Sequence, residues 1–347
     1  MDIKKQKTAL VTGAAGFIGF HVCEVLLQDG WRVIGVDCMS DYYDITLKQS
    51  REQILSQYVN YLSVHEKIET ACLLKQIFED EKPNVVIHLA AQAGVRYSLE
   101  NPRAYLESNI VGTFELLEAA RAYPPDHMLF ASTSSAYGAN EDMPFKETDK
   151  ADHQMSFYAA TKKSTENMAH SYSHLFKLPI TMFRFFTVYG PWGRPDMALF
   201  KFTDAILDGR SFDVYNYGEM NRDFTYITDL VHGIKLLIAA VPGLTNINNK
   251  YQDSLSPVAP FRVVNIGNSQ PTALIEFIKC IEDACESEAK MNMLPMQPGD
   301  VKETYANTDL LWQLTNFRPS TPVKEGVKKF VDWFVEYYRE NKTLRGR

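Results

Sequence analysis

Residues 8–19 read TALVTGAAGFIG, and this stretch decides the fold. A short apolar run ends in a turn with glycines at positions 13, 16 and 19, and apolar residues then recur at helical spacing until Gly30. A strand, a glycine-rich turn and a helix in this order are typical of a dinucleotide site in a parallel sheet. We expect Gly13 to permit the tight turn, Gly16 to let the backbone approach a pyrophosphate, and Gly19 to let the helix pack against the strand.

The beginning of that helix is a second reason to expect a phosphate ligand. Its first N–H groups, around Phe17 and Ile18, have no partner inside the helix and carry the positive end of its dipole. The spacing GxxGxxG is less common than GxGxxG, and glycine-rich turns also serve simple chain reversal. The motif therefore needs support from the rest of the chain.

An acid at the end of the next strand gives that support. The strand RVIGVD ends at Asp37, 18 residues beyond Gly19, close to the ~20 expected for the acid that binds the adenosine ribose. A carboxylate there repels a 2′-phosphate, so the sequence predicts NAD rather than NADP. A later predicted strand ends in Leu89 and Ala90 and is followed by Ala91, and the small alanine side chains leave room for a cofactor to lie across the sheet.

The first 186 residues alternate apolar runs with amphipathic segments. We predict strands over 8–12, 32–37, 59–65, 84–90, 127–132 and 179–186, and helices over 16–29, 68–79, 102–122 and 157–177. Continuously apolar strands that alternate with helices predict a doubly wound α/β fold, with a parallel sheet covered on both faces. We assign residues 1–188 to this domain, with returning segments at about 224–240 and 261–267.

The rest of the chain, mainly 189–347, is richer in proline, glycine and tryptophan from about Tyr189 onward. This composition is typical of a smaller substrate-binding domain. We predict a surface loop over 246–260 and an amphipathic helix over 321–338.

Composition excludes several classes of function. The net charge of −7 argues against nucleic acid or an anionic membrane as the main partner. None of the five cysteines forms a C-x-x-C pair, so we expect reduced thiols and no metal site. There is no signal-peptide pattern and no apolar run long enough to span a bilayer, so the expected location is the cytoplasm.

A tyrosine and a lysine supply candidate chemistry. Tyr158 and Lys162, in YAATK, stand four residues apart on one helix face. A free phenol has a pKa near 10 and is a poor base, but a nearby ammonium favours the phenolate. Chance YxxxK pairs are common, and most are structural. Here Thr133 follows a sheet strand at the ligand edge, where its hydroxyl can share the proton that Tyr158 moves.

Five motifs occur in an order that resembles the extended short-chain dehydrogenase/reductases. They are GxxGxxG, STSSxYG, YxxxK, the RFFxxYGP motif at Arg184, and the RDFTYxxD motif at Arg222. The resemblance implies a Rossmann domain that binds NAD, a smaller C-terminal α/β domain that binds a nucleotide sugar, and the roles given above to Thr133, Tyr158 and Lys162. It also implies that Asn109 supports the fold near the active site, and that helices near 103–121 and 157–176 pair in a homodimer.

The residues after Thr133 narrow the reaction. Sugar-nucleotide 4,6-dehydratases of this superfamily carry Asp-Glu at the positions of Ser134 and Ser135, and UDP-glucuronate decarboxylases carry Glu at the second. With two serines, no acid is present to eliminate water or to assist loss of CO₂. The resemblance therefore favours 4-epimerisation, in which hydride leaves a sugar carbon and returns to it.

The stretch TVYGPWGRPD at Thr187 and Arg194 resembles the UDP-glucuronate 4-epimerases, as do GVRYSLENP at Arg96 and LPMQPGDV at Gln297. UDP-galactose-type epimerases carry Asn at the position of Thr187. The shorter side chain makes room for a carboxylate, which hydroxyls of Thr187, Ser134 and Ser135 can bind. Arg194 and Arg96 are candidate cations beside it, although either can serve a surface salt bridge instead.

The remaining substrate contacts come from the same resemblance. Arg222 is expected to anchor the diphosphate, unless it only bridges to Asp223 or Asp229. We expect the uridine to lie near Met197, Tyr215, Gln297 and Asp300. Relatives usually have an Asp at the end of the third strand to meet adenine, and Glu66 is the predicted substitute here.

Three other functions stay open. A 4-epimerase acting on UDP-glucose, UDP-galactose or their N-acetyl forms is the nearest rival, and tests with separate substrates discriminate it. A UDP-glucuronate decarboxylase is disfavoured by Ser135. A non-catalytic dinucleotide sensor is disfavoured because such proteins usually lack the Tyr158–Lys162 pair.

Overall fold

The computed structural model describes residues 6–243, 252–297 and 301–339. Its strands are β1 Thr8–Thr12, β2 Arg32–Val36, β3 Tyr61–Val64, β4 Val85–His88, β5 His127–Thr133, β6 Ile180–Phe185, β7 Thr187–Tyr189, β8 Ser211–Val214, β9 Asn221–Tyr226, β10 Phe261–Ile266, β11 Pro271–Ala273, β12 Lys290–Met293 and β13 Glu303–Thr304.

Its α-helices are α1 Phe17–Gln28, α2 Ile45–Leu55, α3 Leu73–Glu81, α4 Tyr97–Glu100, α5 Pro102–Tyr105, α6 Gly112–Ala122, α7 Phe157–Phe176, α8 Ala198–Leu207, α9 Ile227–Leu237, α10 Leu274–Cys285, α11 Asp309–Thr315 and α12 Val323–Trp333. Single turns of 3₁₀-helix span Ser134–Tyr137 and Tyr215–Gly218, and π turns span Leu106–Val111 and Phe334–Arg339. None of the helices in these described residues is long and apolar enough to cross a bilayer.

Seven strands form one parallel sheet in the order β10-β6-β5-β4-β1-β2-β3. Successive strands run outward from β1 in one direction and from β4 in the other. The order therefore reverses between these two strands, and the crevice outside their carboxyl ends is where such sheets bind ligands. The predicted Rossmann-type sheet is confirmed.

Side chains of alternate strand residues pack on opposite faces of this sheet. Ala9 and Val11 belong to a core shared with α1 and α9, while Leu10 belongs to a core shared with α3, α6 and α7. All seven residues of β5 are buried. Helices on both faces explain why the strands read as continuous apolar runs in the sequence.

A smaller set of strands lies beyond the sheet. β9 pairs with β7, β11 and β13, and β12 pairs with β8. The two segments predicted to return to the first domain therefore differ. Residues 261–267 contain β10, which joins the edge of the large sheet, whereas residues 224–240 begin with the end of β9, which belongs to the smaller one. Between them α9 packs on α1. The division of the chain into two domains near residue 188 stays a prediction.

Local chain geometry explains the errors in the predicted elements. The helix predicted from residue 68 begins only at Leu73, because Cys72 before it has a left-handed backbone with φ of 66°. α2 was not predicted; the Asp44 side chain caps it by accepting from Thr46 N at 3.0 Å. The helix predicted over 102–122 is present but contains the π turn, and the predicted loop at 246–260 lies partly outside the described residues.

Candidate active site

The glycine-rich turn between β1 and α1 is packed against the end of β4. Gly13 has a φ of 74°, and a Cβ on it would come within 2.8 Å of the backbone nitrogen of Ala90. Gly16 N donates to Gly13 O at 3.0 Å, and a Cβ on Gly16 would lie 3.0 Å from that same oxygen. The first N–H groups of α1 begin at Phe17, with no side-chain cap at Gly16. This backbone cradle, which a side chain would fill, fits the pyrophosphate of a dinucleotide.

Asp37 lies beside the turn, directly after β2. Its carboxylate accepts from Ala15 N at 3.1 Å and from Met39 N at 2.8 Å. Lys48 Nζ lies 3.5 Å from the same carboxylate and donates to Ser40 Oγ at 3.0 Å. The contact with Lys48 was not predicted, since it depends on the unpredicted helix α2.

One cavity of about 1060 Å³ extends along the carboxyl ends of the strands into the space beneath the smaller sheet. Its lining includes most of the residues predicted for the site: Gly13, Gly16, Phe17, Ile18, Gly19, Asp37, Glu66, Leu89, Ala90, Ala91, Arg96, Thr133, Ser134, Ser135, Tyr158, Lys162, Thr187, Arg194, Met197, Tyr215 and Arg222. Of the predicted positions that the structure describes, Gln297 is the exception, and it does not line the cavity. Asp300 lies outside the described residues.

Tyr158 and Lys162 lie on the first turns of α7, with Tyr158 7% and Lys162 4% exposed. The helix begins where Ser156 Oγ accepts from Ala159 N at 3.1 Å, a typical N-cap. Lys162 Nζ donates to the carbonyl oxygen of Ala131 in β5 at 2.8 Å. The same helix face therefore presents both groups to the carboxyl end of β5.

Burial acts on both ionisable groups. It raises the pKa of Tyr158 above the usual value of a phenol, and the smaller opposing effects of Thr133 and of the positive charge of Arg194 do not cancel this rise. Burial lowers the pKa of Lys162 to about 8, against the opposing effect of Glu166. Arg194 is the cation whose charge acts to lower the pKa of Tyr158, and the effect of Lys162 on the phenol stays a prediction.

A buried ion pair lies beneath Tyr158 and Lys162. Glu166 accepts from Ser132 Oγ at 2.6 Å and from Arg184 Nε and Nη2 at 2.8 and 2.7 Å. Burial alone would raise the pKa of Glu166, but Arg184, Lys163 and Ser132 together lower it to about 2. This network fixes α7 to β5 and β6, and Glu166 was not identified from the sequence.

Asn109 has the supporting position that the family resemblance implied. It lies in the π turn Leu106–Val111, and its side-chain oxygen accepts from Gln92 N at 2.8 Å. Its amide donates to Gln92 O at 3.1 Å and to Thr161 Oγ1 at 3.0 Å. One side chain thereby joins the loop after β4 to α7.

The other end of the cavity carries hydroxyls and cations. Thr187 begins β7, and Ser134 and Ser135 form the turn after β5. Arg194 makes a two-pronged ion pair with Asp196, with nitrogen–oxygen distances of 3.0 and 2.5 Å. Asp196 was not identified from the sequence.

Two loops meet near these groups. Tyr42 Oη donates to Asp196 at 3.3 Å, which joins the loop after β2 to the one after β7. The Arg96 guanidinium lies 4.6 Å from the ring centre of Tyr215, within the range of cation–π attraction. Tyr42 and Asp196 were missed because their partners are far away in the chain.

Arg222 lies in β9 and donates to the carbonyl oxygens of Asn221, Lys302 and Val301 at 3.0, 3.1 and 2.6 Å. The acids named as its structural alternatives bind main-chain N–H groups. Asp223 accepts from Asn268, Ser269 and Ala306, and Asp229 accepts from Ser320 and Thr321.

Comparison with known proteins gives consistent matches along the chain. The family model described as GDP-mannose 4,6 dehydratase matches residues 10–330. A probable UDP-glucuronate 4-epimerase of Rhizobium meliloti (strain 1021) is 55% identical over 96% of this chain and 98% of that protein. UDP-glucuronate 4-epimerase 4 of Arabidopsis thaliana is 43% identical over 98% of this chain and 78% of that protein. The fold also matches the crystal structure of UDP-glucuronic acid 4-epimerase from Bacillus cereus in complex with UDP-glucuronic acid and NAD, at 31% identity and a TM-score of 0.85, over 95% of this chain and 100% of that one.

Proposed function

The chain belongs to the extended short-chain dehydrogenase/reductases, in the family described as GDP-mannose 4,6 dehydratase, and we propose that it interconverts UDP-glucuronate and UDP-galacturonate as an NAD-dependent 4-epimerase. The observation that carries the proposal is the cavity that brings Tyr158 and Lys162 together with Ser134 and Ser135. A tyrosine base is present there, and the acids that the dehydratases use at the two serine positions are replaced by hydroxyls.

NAD fits the first half of the cavity. The glycine turn holds its pyrophosphate, Asp37 the adenosine ribose, and Leu89, Ala90 and Ala91 the space across the sheet. Glu66 lines the cavity and is assigned to the adenine. When bound, NAD⁺ supplies the hydride acceptor and, after reduction, the hydride donor for one sugar carbon.

Tyr158 moves the proton. Its phenolate accepts the proton of the C4 hydroxyl as the hydride leaves C4, and the phenol returns that proton when hydride re-enters from the other face. Thr133, which acts to lower the pKa of the phenol, shares this proton. Lys162 binds the nicotinamide ribose hydroxyls, a role for which its amine is placed by Ala131 O. NAD⁺ is regenerated in each cycle.

The sugar must turn between the two hydride transfers while its nucleotide stays anchored. Arg222 binds the diphosphate, as a planar donor suited to phosphate oxygens. Met197 and Tyr215 lie in the same cavity and bind the uridine. Gln297 and Asp300 are assigned to the uridine by family resemblance alone.

The sugar carboxylate presents a hazard, because oxidation at C4 makes a β-keto acid that loses CO₂ when its orbitals align. Hydroxyls of Thr187, Ser134 and Ser135 bind the carboxylate and hold it out of that alignment. Arg194 and Arg96 line the cavity and supply positive charge for this carboxylate.

The same reasoning extends to the organisation of the protein. We assign NAD binding to residues 1–188 with the segments near 224–240 and 261–267, and nucleotide-sugar binding mainly to 189–347. A homodimer through α6 and α7 would cover exposed apolar side chains there, including Phe114 and Phe157. The five free cysteines fit a location in the reducing cytoplasm.

The test is ¹H NMR of UDP-glucuronate with the purified protein and no added NAD⁺. We expect UDP-galacturonate to form until the two sugars reach equilibrium, since the cofactor stays bound. UDP-glucose and UDP-N-acetylglucosamine are run separately. A faster reaction with either neutral sugar, or a UDP-4-keto-pentose as the main product, would refute the proposal.

A further inference from the structure

Arg51 lies on α2, outside the candidate active site, and its side chain is completely buried. Its hydrogen bonds go to main-chain oxygens and one phenol. Nη1 donates to Ala15 O and to Tyr43 Oη, both at 2.9 Å, and Nη2 donates to Trp192 O at 2.6 Å. Burial of a guanidinium is costly, and its Nε has no hydrogen-bond partner among the described residues, so the bonds of the two terminal nitrogens define the arrangement of the groups around it.

One of those oxygens belongs to the cofactor turn. Ala15 stands between Gly13 and Gly16, and its N–H donates to Asp37 at 3.1 Å. Ala15 is therefore held at both of its main-chain groups. Arg51 binds its carbonyl oxygen, and Asp37, the acid assigned to the ribose, binds its N–H. The pyrophosphate cradle and the ribose contact are fixed by the same peptide units.

The other oxygen belongs to the segment that follows β7. This segment has no regular structure, and Trp192 in it has a left-handed backbone with φ of 61°. Two side chains from α1 and α2 bind its main chain. Arg51 donates to Trp192 O, and His21 Nε2 lies 3.0 Å from Pro191 O. The Trp192 ring also packs on Phe20 of α1, with 5.4 Å between ring centres.

The segment continues directly into Arg194, which lines the cavity with Tyr158. No strand or helix separates Arg194 from the residues that Arg51 and His21 hold. The position of this cation in the cavity therefore depends on how the preceding residues pack on α1 and α2, together with its ion pair to Asp196.

We propose that Arg51 is a positioning residue that fixes the cofactor site and the sugar-carboxylate site relative to each other. By binding the carbonyls of Ala15 and Trp192 together, it sets where Arg194 lies relative to the dinucleotide. This inference rests on the proposed function, because it takes the partner of Arg194 to be the carboxylate of a UDP-uronate.

The test is calorimetry in a Tyr158→Phe background, where ligands bind without turnover. Arg51→Lys keeps the charge but cannot bind both carbonyls in a planar fork. We expect it to weaken UDP-glucuronate binding about tenfold, the scale of one charge-assisted hydrogen bond, and to change UDP binding less than about twofold. Gln49→Ala, on the exposed side of α2, is the matched control and should change neither.

A double-mutant cycle shows whether the effect passes through Arg194. If it does, Arg51→Lys has little further effect on UDP-glucuronate binding once Arg194 is replaced by Met. Additive effects of the two substitutions, or equal weakening of UDP and UDP-glucuronate, overturn the proposal, because a general loss of structure affects both ligands.

A second variant covers the case in which Arg51→Lys does not fold. His21→Ala removes the other contact to the segment without removing a charge, since burial lowers the pKa of His21 to about 4. It should show the same selectivity for UDP-glucuronate, and loss of UDP binding to the same extent refutes the idea. If the wild-type protein converts no UDP-glucuronate by NMR, the proposed function itself has failed, which is a separate outcome.

Discussion

The ammonium of Lys48 lies 3.5 Å from the carboxylate of Asp37, and both side chains are almost completely buried. The carboxylate also accepts two main-chain N–H groups, from Ala15 and Met39. The acid assigned to the adenosine ribose is therefore paired with a cation that, on its own, would attract a 2′-phosphate. Selection of NAD depends on which of the two charges faces the ribose.

Replacing Asp37 by Ala should invert cofactor choice. Lys48 and Ser40 remain and can bind a phosphate, so we expect NADP⁺ affinity to rise at least about tenfold and NAD⁺ affinity to fall. Fluorescence titration of the NAD-stripped protein measures both constants. Adding Lys48→Met should remove the gain, and an equal NADP⁺ affinity with or without Lys48 would show that the lysine has no part in it.

Replacing Tyr158 by Phe should abolish turnover and leave the cofactor in place. The substitution removes the only hydroxyl assigned to accept the C4 proton, so the rate should fall roughly 10²–10⁴-fold. NMR gives the rate, and the absorbance of the dinucleotide released on denaturation gives the NAD content. Full activity in the variant would discredit the proposed base.

Replacing Lys162 by Met should stabilise the NAD-free protein at neutral pH while it destroys activity. Because burial lowers the pKa of Lys162 from 10.5 to about 8, the unfolded chain binds more protons than the folded one between these values. The free energy of unfolding of the wild type therefore rises with pH across that window.

At pH 7 the methionine variant avoids the cost of burying an ammonium, which is on the order of 1–3 kcal/mol, less the hydrogen bond lost at Ala131 O. Urea unfolding at pH 7 and pH 10 measures the difference in free energy. An advantage of the variant that does not shrink with rising pH contradicts the assignment of the cost to Lys162.

Replacing Thr187 by Val should increase loss of CO₂ from the keto sugar. The two side chains have similar shapes, so the change removes mainly the hydroxyl that is assigned to the carboxylate. We expect release of UDP-4-keto-pentose to rise at least about tenfold over wild type, the scale of one hydrogen bond to a charged group. NMR of the product mixture measures the ratio, and an unchanged ratio would remove Thr187 from this role.

Replacing Phe114 by Glu should dissociate the proposed dimer. Phe114 lies on α6 and is 43% exposed, and burying an unpaired carboxylate there would weaken association by at least about tenfold. Sedimentation velocity at micromolar concentration follows the change. Gln28→Glu, on the exposed side of α1, which packs on the opposite face of the sheet from α6 and α7, adds the same charge away from the proposed interface and should leave the dimer intact.

The parts of the fold that could be predicted are those with local signals. β5 is buried on both faces, so its run HMLFAST is recognisable without its neighbours. The glycine turn was likewise recognisable from the spacing of its three glycines alone. By contrast, three of the five buried residues of α2, namely Lys48, Arg51 and Glu52, are charged, so a search for apolar periodicity does not find this helix.

The candidate active site likewise contains residues with a local sequence signal and residues without one. Tyr158 and Lys162 are one helical turn apart, and their spacing alone brings them together. Asp196 and its partner Tyr42 are 154 positions apart in the chain, and no local pattern relates them. Glu166 and Arg184 are likewise joined only by the packing of α7 on the sheet. Groups that act through tertiary contacts could not be found before the fold was known.

The π turn at Leu106–Val111 places a constraint on chain length. Such a turn closes its hydrogen bonds over one residue more than an α-helical turn does. Deleting one residue there would give a regular helix, and α5 would rotate by about 100° relative to α6. Asn109 would then no longer face Gln92 and Thr161. Engineers who shorten this helix to make it more uniform, or who align distant homologues without a gap at this point, would misplace the amide that joins β4 to α7.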